Sequence, residues 1–322
     1  MRRRSLGTAL ATVMVIIALV APGHMPAGAQ SGEPVQVIAT FSVLGDIVAH
    51  VGGDNVIVSV LIPSGADAHV FEPTPEDAGR LEDAAVVFEN GLGFEPWLDE
   101  LYEASASDAA RVVVTEGITP RAFGEEESDH EEEHEDGEEH DEHGEFDPHV
   151  WHDVQNVIIE VEAIRAALGA ADPANASVYD ANAAAYTAEL QELDAYIVDQ
   201  VATLPEERRR LVTSHDTFGY FAARYGFDII GTALGSISTE GGDPSAREIN
   251  DLIDAIRDTE VPAIFAENVS NTSLMETIAE EAGVTLAPTL YTDALGEPGS
   301  PGETYLGMIR YNVDTIVAAL GA

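Results

Sequence analysis

The sequence contains no cysteine and no lysine. The first absence rules out a disulfide framework and leaves no thiol for lipid attachment. The second leaves arginine as the only strong base, with 14 basic residues against 59 acidic ones and a formal net charge of −45. A chain so acidic repels phosphate, which excludes nucleic acid as a partner. Long apolar runs are also scarce. The one candidate, Leu6 to Ala21, follows three arginines, Arg2 to Arg4, and precedes Ala27, Gly28 and Ala29. A basic start, an apolar middle and a small-residue end describe a secretory signal peptide over residues 1–29, and the run is short for a bilayer. Cleavage before Gln30 would take the net charge to −48. The expected product is exported, at the periplasmic or extracellular face of the cytoplasmic membrane.

What is present in excess is acid, and it is concentrated. Residues 124–145 read GEEESDHEEEHEDGEEHDEHGE, with His130, His134, His140 and His143 among the carboxylates. So much like charge cannot collapse into a core, and the tract reads as a disordered loop. Imidazoles interleaved with carboxylates make a weak, adaptable ligand set for a divalent cation. The tract runs into FDPHVWHD, Phe146 to Asp153, a compact mixture that can hold one geometry.

Roughly 290 residues follow the signal, enough for two domains. From residue 33 the pattern is short β-branched strand, loop, amphipathic helix, repeated: PVQVIAT, NVIVSVLIP, AAVVFEN and RVVVTE alternate with helical stretches. The same grammar returns after residue 204 in RRLVTS, FDIIGTA, PAIFAEN and VTLAPTL. Alternation of this kind means βαβ units on parallel sheets. Between the halves, Ala174 to Thr203 contains neither glycine nor proline. A helix of that length spans about 45 Å, longer than one small domain is wide. The expected fold is α/β: a lobe over 33–173, a rigid linking helix over 174–203, and a second lobe over 204–322.

Ligands in open α/β sheets bind outside the carboxyl ends of the strands. His69 lies in the loop after the second strand, His149 in the FDPHVWHD turn, and His215 where a strand gives way to a helix. Asp293 lies just past the last strand, and Glu267 ends the FAEN strand in the same layer. Three imidazoles and a carboxylate are a good tetrahedral set for zinc, whereas a manganese site favours more oxygen donors. His50 sits mid-helix and reads as an ordinary helix residue.

The stretches GADAHVFEPTPED, FDPHVWHD, TSHDTFGYFAARYG, ISTEGGDPSAREI, FAENVSNTSLMETIAEEAG, YTDALGEPG and TYLGMIRYN occur in that order over nearly the whole chain beyond the signal. In order and spacing they resemble the metal-binding solute receptors of ABC importers for zinc and manganese. The resemblance implies two lobes joined by one long helix, with the metal in the cleft between them. It also implies a monomer that delivers its ion to a membrane permease. The family's ligand positions fall on His69, His149, His215 and Asp293, and HVFEP keeps Phe71 and Glu72 after the first ligand. Manganese members often carry glutamate at the third position, so His215 leans toward Zn²⁺ as cargo, with Mn²⁺ the alternative. The acidic histidine loop also resembles the zinc branch. Glu267 matches a family glutamate near the site and is expected to accept an imidazole N–H, with direct ligation the lesser option. His152 is not a usual ligand; it is expected beside the site or in solvent.

Two other classes compete. A zinc hydrolase keeps three protein ligands and an open position, but four donors would close the shell, so no enzyme is expected. A metal buffer or surface adhesin would use the acidic tract itself and need several comparable sites.

Overall fold

In the computed structural model the described residues are 33–122, 146–235, 239 and 244–322. The signal segment and the acidic tract with His130, His134, His140 and His143 lie outside them. Glu33 to Ala322 pack as one unit.

The first sheet takes β1 (Val35–Phe41), β2 (Val56–Ile62), β3 (Val86–Glu89) and β4 (Ala110–Val113) in the order β2-β1-β3-β4, all parallel. Its strands are short apolar runs because helices cover them. These are α1 (Ser42–Gly52), α2 (Pro75–Glu82), α3 (Leu98–Ser105) and α4 (Val154–Ala171). The start of α2 is written in the sequence: Thr74 and Asp77 form a capping box with Pro75 in the first turn, which satisfies amides that have no intrahelical partner. Asp153 caps α4 by accepting from the Gln155 amide.

The second lobe carries β5 (Arg210–Thr213), α6 (Gly219–Tyr225), β6 (Asp228–Thr232), α7 (Ala246–Thr259), β7 (Ala263–Glu267), α8 (Ser273–Ala282), β8 (Thr285–Leu290) and α9 (Tyr305–Leu320). Its parallel ladders are two pairs, β5 with β6 and β7 with β8, and β5 lies alongside β7. Gly226 and Gly283, both in the left-handed region, end α6 and α8, where a Cβ would be strained.

Between the lobes runs α5 (Ala176–Val201), about 39 Å at 1.5 Å per residue. It is not a bare strut. Tyr179, Ala183, Tyr186, Leu190, Leu193, Ile197 and Val201 form one buried stripe, the three-and-four spacing of a packed helical face. Along that stripe α5 meets α4 and α1 of the first lobe and α9 of the second.

The lobes are also fastened directly. Leu295 donates its amide to Ser42 Oγ at 3.0 Å, Tyr305 donates its amide to Asp46 at 2.9 Å, and Trp151 Nε1 donates to Thr292 O at 3.0 Å. Trp151 is 1 % exposed and packs on Phe41 and Phe94, so one aromatic core reaches from the first sheet to the loop after β8.

A candidate metal centre between the lobes

Each of the four candidate ligands leaves the carboxyl end of a strand: His69 after β2, His149 in the connection after β4, His215 after β5 and Asp293 after β8. The fold brings them together, and one donor atom from each lies within 4.8 Å of the other three. His69 Nε2 is 3.4 Å from His149 Nε2 and 3.3 Å from Asp293 Oδ2. His215 Nε2 is 3.0 Å from Asp293 Oδ2, and His149 Nε2 is 3.8 Å from Asp293 Oδ1. A four-coordinate ion with donors at about 2.0–2.1 Å sets those donors roughly 3.3 Å apart. The spacing therefore suits a single first-row cation.

Local chemistry fixes two of the rings. In Asp-Pro-His the Asp147 carboxylate accepts from the His149 amide at 2.9 Å and from His149 Nδ1 at 2.8 Å. The first bond is the two-residue turn typical of aspartate. The second places the ring proton on Nδ1, because a carboxylate only accepts, and leaves the Nε2 lone pair facing the centre. His215 has the same arrangement with Glu267, whose Oε2 meets its Nδ1. Glu267 follows a register shift in β7, a device that re-aims a side chain. Its Oε1 accepts from the amides of both Ser214 and His215, at 2.8 and 3.1 Å. Those captured amides explain why α6 starts at Gly219 and not at His215, where the sequence pattern puts it.

His149, His215, Asp293 and Glu267 are all 0 % exposed. Burial opposes a charged His215, but Glu267 and Asp293 outweigh it and hold the imidazole pKa well above its ordinary value. Burial likewise opposes the Asp293 carboxylate, and His215 and His149 outweigh it and hold its pKa well below the usual range. The two carboxylates thus favour the charged form of His215, and an incoming cation competes with a proton for its Nε2.

His152 is neither in solvent nor hydrogen-bonded. It is 0 % exposed, its ring lies 4.7 Å from that of Phe218, and neither ring nitrogen has a partner among the described residues. Burial first, and then the neighbouring His149, lower its pKa to about 3. It is a neutral packing group under the site. His50 stacks on Tyr186 at 4.4 Å, away from the centre. Phe71 packs edge-on against Trp97.

Residues that the sequence pattern did not single out support the centre from behind. Phe94 stands 5.3 Å from the His69 ring, and Asn90 Nδ2 donates to Pro148 O at 3.0 Å. Asp147 could have been found, since aspartate two residues before a histidine is a local signal. Phe94 and Asn90 act across the fold and leave no such trace.

Comparison with known proteins agrees with this geometry. A family model described as ZnuA, zinc-uptake complex component A, periplasmic, matches residues 37–319. The chain is 39 % identical to the manganese-binding lipoprotein MntA of Halalkalibacterium halodurans over 96 % of this chain and 97 % of that one. It is 30 % identical to the manganese ABC transporter substrate-binding lipoprotein PsaA of Streptococcus mitis, over 98 % and 99 %. The solved periplasmic zinc-binding protein TroA of Treponema pallidum superposes with a TM-score of 0.78 at 32 % identity, covering 90 % of this chain and 99 % of that one. Members of this group bind a metal ion for an importer and do not transform it. The chain belongs to the ZnuA family, the metal-binding receptors of ABC importers.

Proposed function

We propose that this receptor captures one divalent cation with His69, His149, His215 and Asp293, and that manganese is its physiological cargo, handed to the permease of an ABC importer. The convergence of four donors from both lobes carries the binding reading. Manganese is favoured over the zinc suggested by His215, because MntA, at 39 % identity the most similar of the three proteins above, and PsaA are both named for manganese. The zinc-binding neighbour does not weigh equally against this. Any nitrogen-rich site binds Zn²⁺ more tightly than Mn²⁺ under the Irving–Williams order, so a zinc-loaded protein reports availability as much as purpose.

For that reason affinity alone does not identify the cargo. The decisive measurement is isotope uptake by cells with and without the receptor gene, at low external metal. Loss of manganese uptake with zinc uptake intact is the expected result. The reverse pattern would return the assignment to zinc.

In the proposed arrangement residues 33–173 and 204–322 each supply half the centre and 174–203 holds them at fixed separation. The receptor works outside the cytoplasm as a monomer. MntA and PsaA are called lipoproteins, and this sequence offers no cysteine for a thioether-linked lipid.

A further inference from the structure

Glu95 belongs to none of the ligand loops, yet it is only 8 % exposed and fully engaged. Its Oε1 accepts from Thr40 Oγ1 of β1 at 2.7 Å and from the Asn90 amide at 2.8 Å, and its Oε2 accepts from the Gly91 amide at 3.0 Å. These bonds tie the loop between β3 and α3 to the first sheet. The loop needs holding, because Gly91, Leu92 and Gly93 have φ of 81°, 56° and 81°. For leucine, which carries a Cβ, that conformation is strained. The same loop carries the two groups that back the metal centre. Asn90 fixes Pro148, next to His149, and Phe94 packs against His69 and against His149 at 6.3 Å.

We propose that Glu95 is a positioning residue for metal binding, and that its protonation loosens the loop behind His69 and His149 and so lowers metal affinity as the pH falls. This rests on the reading of those residues as the metal site. A carboxylate accepts from all three donors at once, whereas a carboxylic acid must aim its own O–H at one of them and leave a buried donor unpaired. Burial pushes the Glu95 carboxyl up to about 7, against the lowering effect of the bonds from Thr40, Asn90 and Gly91, with Glu89 adding to the rise. It therefore changes charge near neutrality, taking up its proton as the pH drops below that value. The charged and titratable groups around it are Glu89 at the end of β3, paired with Arg111 of β4, and Asp99 of α3, paired with the same arginine. Beyond Asn90 and Phe94 lie Asp147, His149 and His69.

The site histidines lose metal in acid by themselves, so the informative quantity is the difference between variants. Glu95→Gln keeps an acceptor for Thr40 and Asn90 but turns an NH₂ toward the Gly91 amide, which mimics the protonated state at every pH. Mn²⁺ affinity of the whole chain, measured by chelator competition between about pH 5.5 and 8.5, should be about tenfold weaker in Glu95→Gln at the alkaline end and equal to wild type at the acid end. Thr40→Val removes one bond that favours the carboxylate and should move the midpoint of the wild-type profile to higher pH. Glu160→Gln, a buried carboxyl outside this loop, should track wild type in affinity. In the metal-free protein at about pH 8.5 the Asn90 and Gly91 amides should exchange faster in Glu95→Gln than in wild type. A gap that stays constant across pH, an unmoved Thr40→Val midpoint or unchanged amide exchange would overturn the proposal alone. Failure of the wild-type chain to bind Mn²⁺ tightly would overturn the receptor reading and this one with it.

Discussion

His149 and His215 are each held by a buried carboxylate at Nδ1, while His69 is not. Among the described residues His69 Nδ1 has no hydrogen-bond partner, and its side chain is 7 % exposed against 0 % for the other two. Two rings and Asp293 are thus fixed before a metal arrives, and the third ring is oriented mainly by packing on Phe94. A receptor must both hold an ion and release it. A site with a rigid floor and one adjustable ligand meets both demands, because the adjustable ligand can leave first without stranding a charge.

The comparison is broken or upheld most directly by alanine. His215→Ala removes a donor and takes the shared ring partner from two buried carboxylates, Glu267 and Asp293, a situation costing several kcal/mol. Mn²⁺ affinity should fall by about a thousandfold or more. His69→Ala strands no buried charge and lets water take the open position, so its loss should be smaller by about tenfold. Calorimetric titration of both variants decides the matter: a His69→Ala loss equal to or larger than that of His215→Ala would remove the distinction.

The carboxylates behind the rings come next. Asp147→Asn and Glu267→Gln should each cost about 10–100-fold in affinity, the range for groups that orient a metal-bound histidine. Glu267→Gln should be the worse of the two, since Glu267 also receives the Ser214 and His215 amides. If both variants bind as wild type does, the clamps are ornaments of the metal-free state.

Smaller still should be the change in shape. α5 packs on both lobes, and direct hydrogen bonds join Ser42 with Leu295 and Asp46 with Tyr305. Loading should raise stability by about 4 kcal/mol at a thousandfold excess over the dissociation constant. The radius of gyration measured by scattering should hardly move. A large contraction on loading would mean that the whole cleft adjusts, and not His69 alone.

Much of this was legible in the sequence for physical reasons. Strands and helices alternate with turn residues between them, and Thr74-Pro75 or Ser245 with Glu248 announce helix starts by chemistry confined to four residues. The candidate ligands were legible because strand ends are where such folds bind. The division of labour among them was not. From the sequence Glu267 is expected to accept an imidazole N–H, with the ring left open: it meets His215 across 52 positions, and Asn90 meets Pro148 across 58; pairs so far apart are assigned only when β5 is laid beside β7, and β3 beside the FDPHVWHD turn. His152, expected beside the site or in solvent, is buried because the turn of 3-10 helix over Val150–His152 sends it between Trp151 and Phe218.

The least effect on affinity is expected at Glu160, which sharpens the contrast by showing a buried carboxyl without a clamp. It lies on α4, is 2 % exposed, and its Oε1 has no partner among the described residues. Burial alone pushes its pKa from 4.5 to about 8. The folded chain therefore binds more protons at this position than the unfolded chain does between those values. The fold's stability from this group is complete below about pH 4.5, declines as the pH rises, and has lost its full share by about pH 8. At pH 7 the loss amounts to about 3 kcal/mol, taking 1.36 kcal/mol per unit. Glu160→Gln does not titrate, so urea unfolding of the metal-free protein should find it close to wild type near pH 5 and more stable by about that amount near pH 7. Metal affinity should be the same in both, since no ligand or clamp touches it. Parallel stability curves for the two proteins would show that Glu160 finds a partner when ionised, and that the buried carboxyls of this molecule do not divide into clamped and unclamped kinds.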